Sequence, residues 1–130
     1  MTNIYADIIL DHYKNPRNFG TLESHNAEAR DNNPLCGDVI GVQIKIEKNI
    51  IRSIKFTGQG CAISQASASM LTEELIGKNT AFVKNLKNKD IVDMLGIDLS
   101  ATRMKCALLI MKVVKLAVYR YLGEKMEEEQ

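Results

Sequence analysis

The sequence predicts an α+β domain: a small antiparallel sheet of about three strands, packed on one face by helices, with a long C-terminal helix. Residues 39–47 alternate, with Ile40, Val42, Ile44 and Ile46 on one side and Gly41, Gln43, Lys45 and Glu47 on the other. That is the period of a strand with one buried face. Lys48-Asn49 supplies a hairpin turn, and residues 50–57 return with Ile50, Ile54 and Phe56 on one face. Residues 101–122 change period: Cys106, Leu109, Ile110, Val113, Ala117 and Tyr121 recur at helical spacing. A sheet with one apolar and one polar face calls for a helical layer over the apolar one.

The remaining elements follow in order. Tyr5, Ile8, Ile9 and Tyr13 give residues 3–14 a helical stripe, with Thr2 or Asn3 as cap and Pro16 as the stop. His12 in this helix is read as structural. Asn15-Pro16-Arg17-Asn18-Phe19-Gly20 is a turn, residues 27–30 form a short strand, and Asp31-Asn32-Asn33-Pro34 is turn chemistry. Past the hairpin, Gly58-Gln59-Gly60-Cys61 turns the chain into a helix reaching about Ile76, with Gly77 at its end. Its first turns are Ala and Ser, small enough to lie close to a neighbour. Residues 79–95 form two short helices, capped by Asn79 or Thr80 and by Asn88, and ended by Gly96. Ser100 caps the long final helix, and residues 124–130 are an acidic tail.

The whole chain, residues 1–130, is read as one domain long enough to bury a core. Its net charge is +1 and its charged fraction 25%, so no basic face argues for nucleic acid. No apolar run is long enough for a bilayer, and residues 1–7 lack the pattern of a signal peptide, which points to a cytoplasmic protein.

The three cysteines, Cys36, Cys61 and Cys106, are odd in number, widely spaced and without a Cys-x-x-Cys pair, unlike a disulfide framework or a zinc ribbon. A free cysteine is often merely a small buried residue. Their positions argue for more. Cys36 and Asp38 precede the first hairpin strand, and Cys61 follows the second. In an antiparallel hairpin those two ends are neighbours. Cys61 stands at a helix start, where unpaired N–H groups favour a thiolate. Cys106 opens the buried stripe of the last helix, flanked by Arg103 and Lys105, whose charges favour its thiolate. Three thiolates and one carboxylate are four ligands, a count that suits tetrahedral zinc or the two irons of a [2Fe–2S] cluster.

These segments resemble the IscU/SufU/NifU N-terminal family of iron–sulfur cluster assembly proteins. The resemblance rests on Asn33-Pro34-x-Cys36-Gly37-Asp38, on Gly58-x-Gly60-Cys61-Ala62-Ile63-Ser64-x-Ala66-Ser67 and on Arg103-x-Lys105-Cys106-Ala107. Asp11-His12-Tyr13-Lys14-Asn15-Pro16-Arg17-Asn18 is similar to the family's first segment, so the likeness spans nearly the whole chain. It implies that a cysteine desulfurase delivers persulfide sulfur to one of Cys36, Cys61 or Cys106. It further implies that these three with Asp38 hold a transient [2Fe–2S] cluster or zinc, and that a downstream acceptor or carrier protein receives the product. IscU scaffolds carry a His before the third cysteine and a Leu-Pro-Pro-Val-Lys stretch for an Hsp70-type chaperone. Here Lys105 and Leu99-Ser100-Ala101-Thr102-Arg103 stand in those places, so the resemblance does not extend to that chaperone. The motifs are SufU-like, yet the spacing from Cys61 to Cys106 leaves no room for the insertion of SufU proteins. The expectation is therefore a scaffold or carrier first, a SufU-like zinc-dependent sulfurtransferase second, and a purely structural zinc site third.

Overall fold

The hairpin forms where alternation demands it. In the structure, a computed structural model describing residues 4–34 and 37–124, β2 (Asp38–Glu47) and β3 (Ile50–Gln59) pair antiparallel. Lys48 and Asn49 turn the chain with φ of 52° and 63°, the two left-handed residues of a tight hairpin. β1 (Ala27–Asn33) pairs antiparallel with the other edge of β2, giving the order β1-β2-β3.

Two sequence expectations change here. β1 runs past residue 30, because Asp31, Asn32 and Asn33 continue the ladder opposite Ile40, Val39 and Asp38. Ladder hydrogen bonds satisfy these backbone groups and outweigh the residues' preference for turns. The β2–β3 register also shifts between Lys45 and Ile46, so Ile44 faces Ile54 while Ile46 faces Ile51. Ile51, at 0% exposure, thus takes the core position expected for Ile50. A one-residue bulge reverses which side chain points inward.

The helices are α1 (Ile4–Lys14), α2 (Ala62–Leu75), α3 (Thr80–Lys84), α4 (Asn88–Leu95) and α5 (Ala101–Leu122). α5 covers β1 and β2, α2 covers β3, and α1 lies on the outer side of α2. The core between sheet and helices is built from Ile40, Ile44, Ile54, Phe56, Leu71, Leu75, Ile110, Val113 and Val114, all buried. Ser64, Ala66, Ser67, Ala68 and Ser69 of α2 are buried as well. Small size and hydrogen bonding act together there: Ser67 Oγ donates to the Ala107 carbonyl of α5 at 2.8 Å.

The caps agree with expectation at Ser100, which accepts the Arg103 N–H at 3.2 Å, and at Asn79, which accepts the Phe82 N–H at 2.8 Å. α4 is capped instead at Lys87, whose N–H donates to Asp90 at 2.8 Å. The buried stripe of α5 ends at Val118, and Tyr121 is exposed. In α1 only Ile9 and His12 are buried, whereas Tyr5, Ile8 and Tyr13 are exposed, because this helix packs mainly along α2. Thr2 and Asn3, its expected caps, lie outside the described residues, as does the acidic tail past Glu124. Among the described residues no helix is long and apolar enough to cross a membrane.

Candidate metal centre

The register sets Val39 opposite Gln59 and Ile40 opposite Gly58, so the start of β2 and the end of β3 share one edge of the sheet. Gly58 has φ +143°, and a Cβ there would collide with the Val39 carbonyl. Glycine is what lets the chain leave the strand at this point. Cys61 then becomes the N-cap of α2, in extended conformation. Cys106 sits in the second turn of α5 at 0% exposure. One ligand atom each from Asp38, Cys61 and Cys106 lies within 4.8 Å of the others. The sheet edge, the start of α2 and the start of α5 thus meet. Cys36, the other ligand expected from the sequence, lies outside the described residues, two positions before Asp38.

Asp38 is fully buried. Its Oδ1 accepts the Cys61 N–H at 2.9 Å, while its Oδ2 has no hydrogen-bond partner among the described residues. The Asp38–Cys61 approach requires Gly60 between them, since a Cβ there would strike Asp38 Oδ1 and Ser64 Oγ. Ser64 Oγ donates to the Cys61 carbonyl at 3.0 Å. Burial pushes the Cys61 thiol up, and the Asp38 carboxylate adds to that. The Ser64 backbone N–H, the Cys106 side chain and the Ser64 hydroxyl pull it down further, leaving it below the ordinary thiol value. Cys61 therefore gains thiolate character, as a thiol at a helix start should.

A buried carboxylate oxygen without a donor is costly. Here it belongs to a cluster with two sulfur atoms. Two sulfurs and one oxygen at this spacing suit a thiophilic divalent cation such as zinc or iron. Arg103 and Lys105 are both exposed. Among the described residues, no hydrogen bond or ion pair joins either side chain to Asp38 or Cys61, and neither contributes to the shift at Cys61. His12, read as structural, is buried and shares a 2.8 Å hydrogen bond with Ser69 Oγ on α2. Sequence reasoning missed the parts played by Gly60 and Ser64. Their signal was positional: a serine three residues into a helix behind Gly-Cys.

The model of the NifU-like N terminal domain matches residues 4–128. The zinc-dependent sulfurtransferase SufU of Bacillus subtilis is 36% identical over 140 residues, covering 95% of this chain and 95% of that protein. The iron–sulfur cluster assembly scaffold protein IscU of Aquifex aeolicus is 36% identical over 128 residues, covering 97% of this chain and 81% of that protein. Among solved structures, the N-terminal part of a NifU-like protein from Brucella abortus superposes with a TM-score of 0.77 over 94% of this chain and 96% of that one. At 19% identity that likeness speaks for the fold alone. With its family model matched over residues 4–128 and relatives 36% identical over nearly its whole length, the chain belongs to the family of the NifU-like N-terminal domain.

Proposed function

We propose that this protein is a scaffold for iron–sulfur cluster assembly, which accepts sulfur from a cysteine desulfurase and holds a [2Fe–2S] cluster as transient cargo. Cys36, Asp38, Cys61 and Cys106 would be the ligands. The observation that carries the reading is Asp38, a fully buried carboxylate with one oxygen unpartnered among the described residues, grouped within 4.8 Å of two thiols. A carboxylate is a harder and weaker iron ligand than a thiolate, so it suits a cluster that must leave. A site meant for permanent storage would gain from sulfur in that position.

Sulfur delivery requires a thiolate on this chain to attack the outer sulfur of the donor's persulfide. A new S–S bond forms here, the donor's S–S bond breaks, and the donor cysteine leaves as thiolate. Of the two described thiols, Cys61 is partly exposed and shifted toward thiolate, whereas Cys106 is fully buried. Cys61 is thus the better placed of the two to meet a donor. Arg103 and Lys105, exposed beside Cys106 on α5, would favour its thiolate and attract the incoming negative persulfide. Cluster handover goes to a downstream acceptor or carrier. A reducing cytoplasm suits this chemistry because the thiols must stay reduced.

A second reading, a zinc-dependent sulfurtransferase, draws on the likeness to the Bacillus subtilis protein. That comparison runs over 140 residues, longer than the 130 of this chain, so the relative holds sequence this chain lacks. The Aquifex aeolicus scaffold is equally similar at 36% identity, and the carboxylate at Asp38 is what favours the scaffold reading. A purely structural zinc site fits least, since such sites are closed by Cys and His rather than by a carboxylate.

The test is anaerobic reconstitution with ferrous iron, cysteine, a desulfurase and a thiol reductant that brings persulfide sulfur to sulfide. The wild type should develop the absorption bands of a [2Fe–2S] cluster, and Cys61→Ala should not. Stoichiometric iron binding without any chromophore, alongside tight zinc and a faster desulfurase, would replace the scaffold with the sulfurtransferase.

A further inference from the structure

The face of the sheet turned away from the helices is not a plain solvated surface. Strand register stacks two rungs across it. Arg30, Gly41 and Thr57 stand side by side on β1, β2 and β3, and Glu28, Gln43 and Lys55 form the next rung. All six point to the outer face, because Ile40, Val42, Ile44 and Phe56 between them point inward. Gly41 leaves a gap in the middle of the first rung. A Cβ there would sit 3.5 Å from Thr57 Oγ1 and 3.6 Å from an Arg30 guanidinium nitrogen, so the Arg and Thr donors converge over the glycine. The gap opens into a recess of about 280 Å³, which Arg120 of α5 also lines.

The charges in the recess do not balance. Arg30, Lys55 and Arg120 line it, against the single carboxylate of Glu28. Among the described residues none of the three cations is in an ion pair. Glu28 lies instead 3.3 Å from His25 Nε2. Gln43 Oε1 accepts the Leu22 N–H at 2.8 Å, which leaves the Gln43 amide NH₂ as a donor. The Arg17–Asp11 and Lys112–Asp31 pairs show where cations elsewhere on this chain have found carboxylates. In the recess the donors have converged without one.

We infer that this recess binds a small multivalent oxyanion of the phosphate class. Two guanidinium groups and an ammonium answer multiple negative charge, and a guanidinium fork matches two oxygens of one phosphate. Thr57 and Gln43 supply neutral donors to the remaining oxygens. The site is separate from the metal centre. Asp38 and Gly41 are three residues apart on β2, hence on opposite faces of the sheet.

The test is a titration of the full-length protein followed by two-dimensional amide NMR. Inorganic pyrophosphate is the probe, citrate the comparison, and sodium chloride at matched ionic strength the control for screening. Pyrophosphate should shift the amides of Arg30, Gly41, Gln43, Lys55 and Thr57 along a saturating curve, more tightly than citrate. Arg30→Ala should weaken it about tenfold, the loss of one charge-assisted contact. Gly41→Ala should weaken it without altering charge, because the methyl fills the floor at ordinary contact distance. Both variants should bind zinc at the metal centre as the wild type does, which verifies that they fold. Shifts that never saturate, or that sodium chloride reproduces, would overturn the site. Tighter binding of citrate than of pyrophosphate would overturn the phosphate class.

Discussion

At Gly60 one hydrogen atom decides how closely Asp38 can approach Cys61. A methyl in its place would enter the space of Asp38 Oδ1 and Ser64 Oγ. Gly60→Ala should therefore displace the carboxylate, cost about 1–3 kcal/mol of stability and lower zinc affinity by about 10- to 100-fold. Urea unfolding and a zinc competition titration would measure both, and wild-type affinity would contradict the placement of Asp38. Asp38 itself should show opposite effects with and without metal. In the metal-free protein its Oδ2 is buried without a donor among the described residues, a cost of about 1–3 kcal/mol. Asp38→Asn keeps an oxygen for the Cys61 N–H and offers an NH₂ to the neighbouring sulfurs. The variant should be the more stable protein without metal and the less stable one with zinc. Calorimetry in chelator and in zinc would show the crossing, and a wild type more stable in both would contradict it.

At the scale of elements, α2 is the piece that others are fastened to. Ser67 ties it to α5, and Ser69 ties it to α1 and the turn after it. Arg17 N–H donates to Ser69 Oγ at 2.8 Å, and His12 Nδ1 shares a hydrogen bond with the same hydroxyl at 2.8 Å. Burial lowers the His12 pKa from its usual 6.5, and the nearby Arg17 charge lowers it further, against smaller opposite effects of Glu73 and Asp11. A lowered histidine pKa means that the unfolded chain takes up its proton first. The α1–α2 contact is therefore at full strength above about pH 6.5 and weakens as pH falls toward the lowered value. Urea midpoints should drop on going from about pH 7.5 to about pH 5.5, and the drop should be smaller in His12→Asn. Equal drops would show that His12 does not couple to folding. The sequence marked the hairpin and α5 well because alternation and helical periodicity are written locally. It misplaced Ile50 and the end of β1 because a bulge and a ladder depend on the partner strand. It misread the exposed face of α1 because nothing in a stripe says how many neighbours will cover it.

In the molecule as a whole, topology converts three distant motifs into one site. An antiparallel hairpin brings the start of β2 to the end of β3, and the packing of α2 against α5 brings Cys61 to Cys106. That convergence was legible in the sequence, because strand direction alone sets which ends meet. The close approach of Asp38 to the Cys61 N–H was not, because it depends on Gly58 and Gly60 in three dimensions. The central claim is that Cys36, Asp38, Cys61 and Cys106 hold one metal site. X-ray absorption at the zinc edge of the zinc-loaded protein tests it most directly. One zinc per chain with three sulfurs at about 2.3 Å and one oxygen at about 2.0 Å is the predicted shell. Asp38→Ala should remove the oxygen and Cys61→Ala one sulfur. A wild-type shell of nitrogen and oxygen without sulfur, or one that neither substitution alters, would contradict the account.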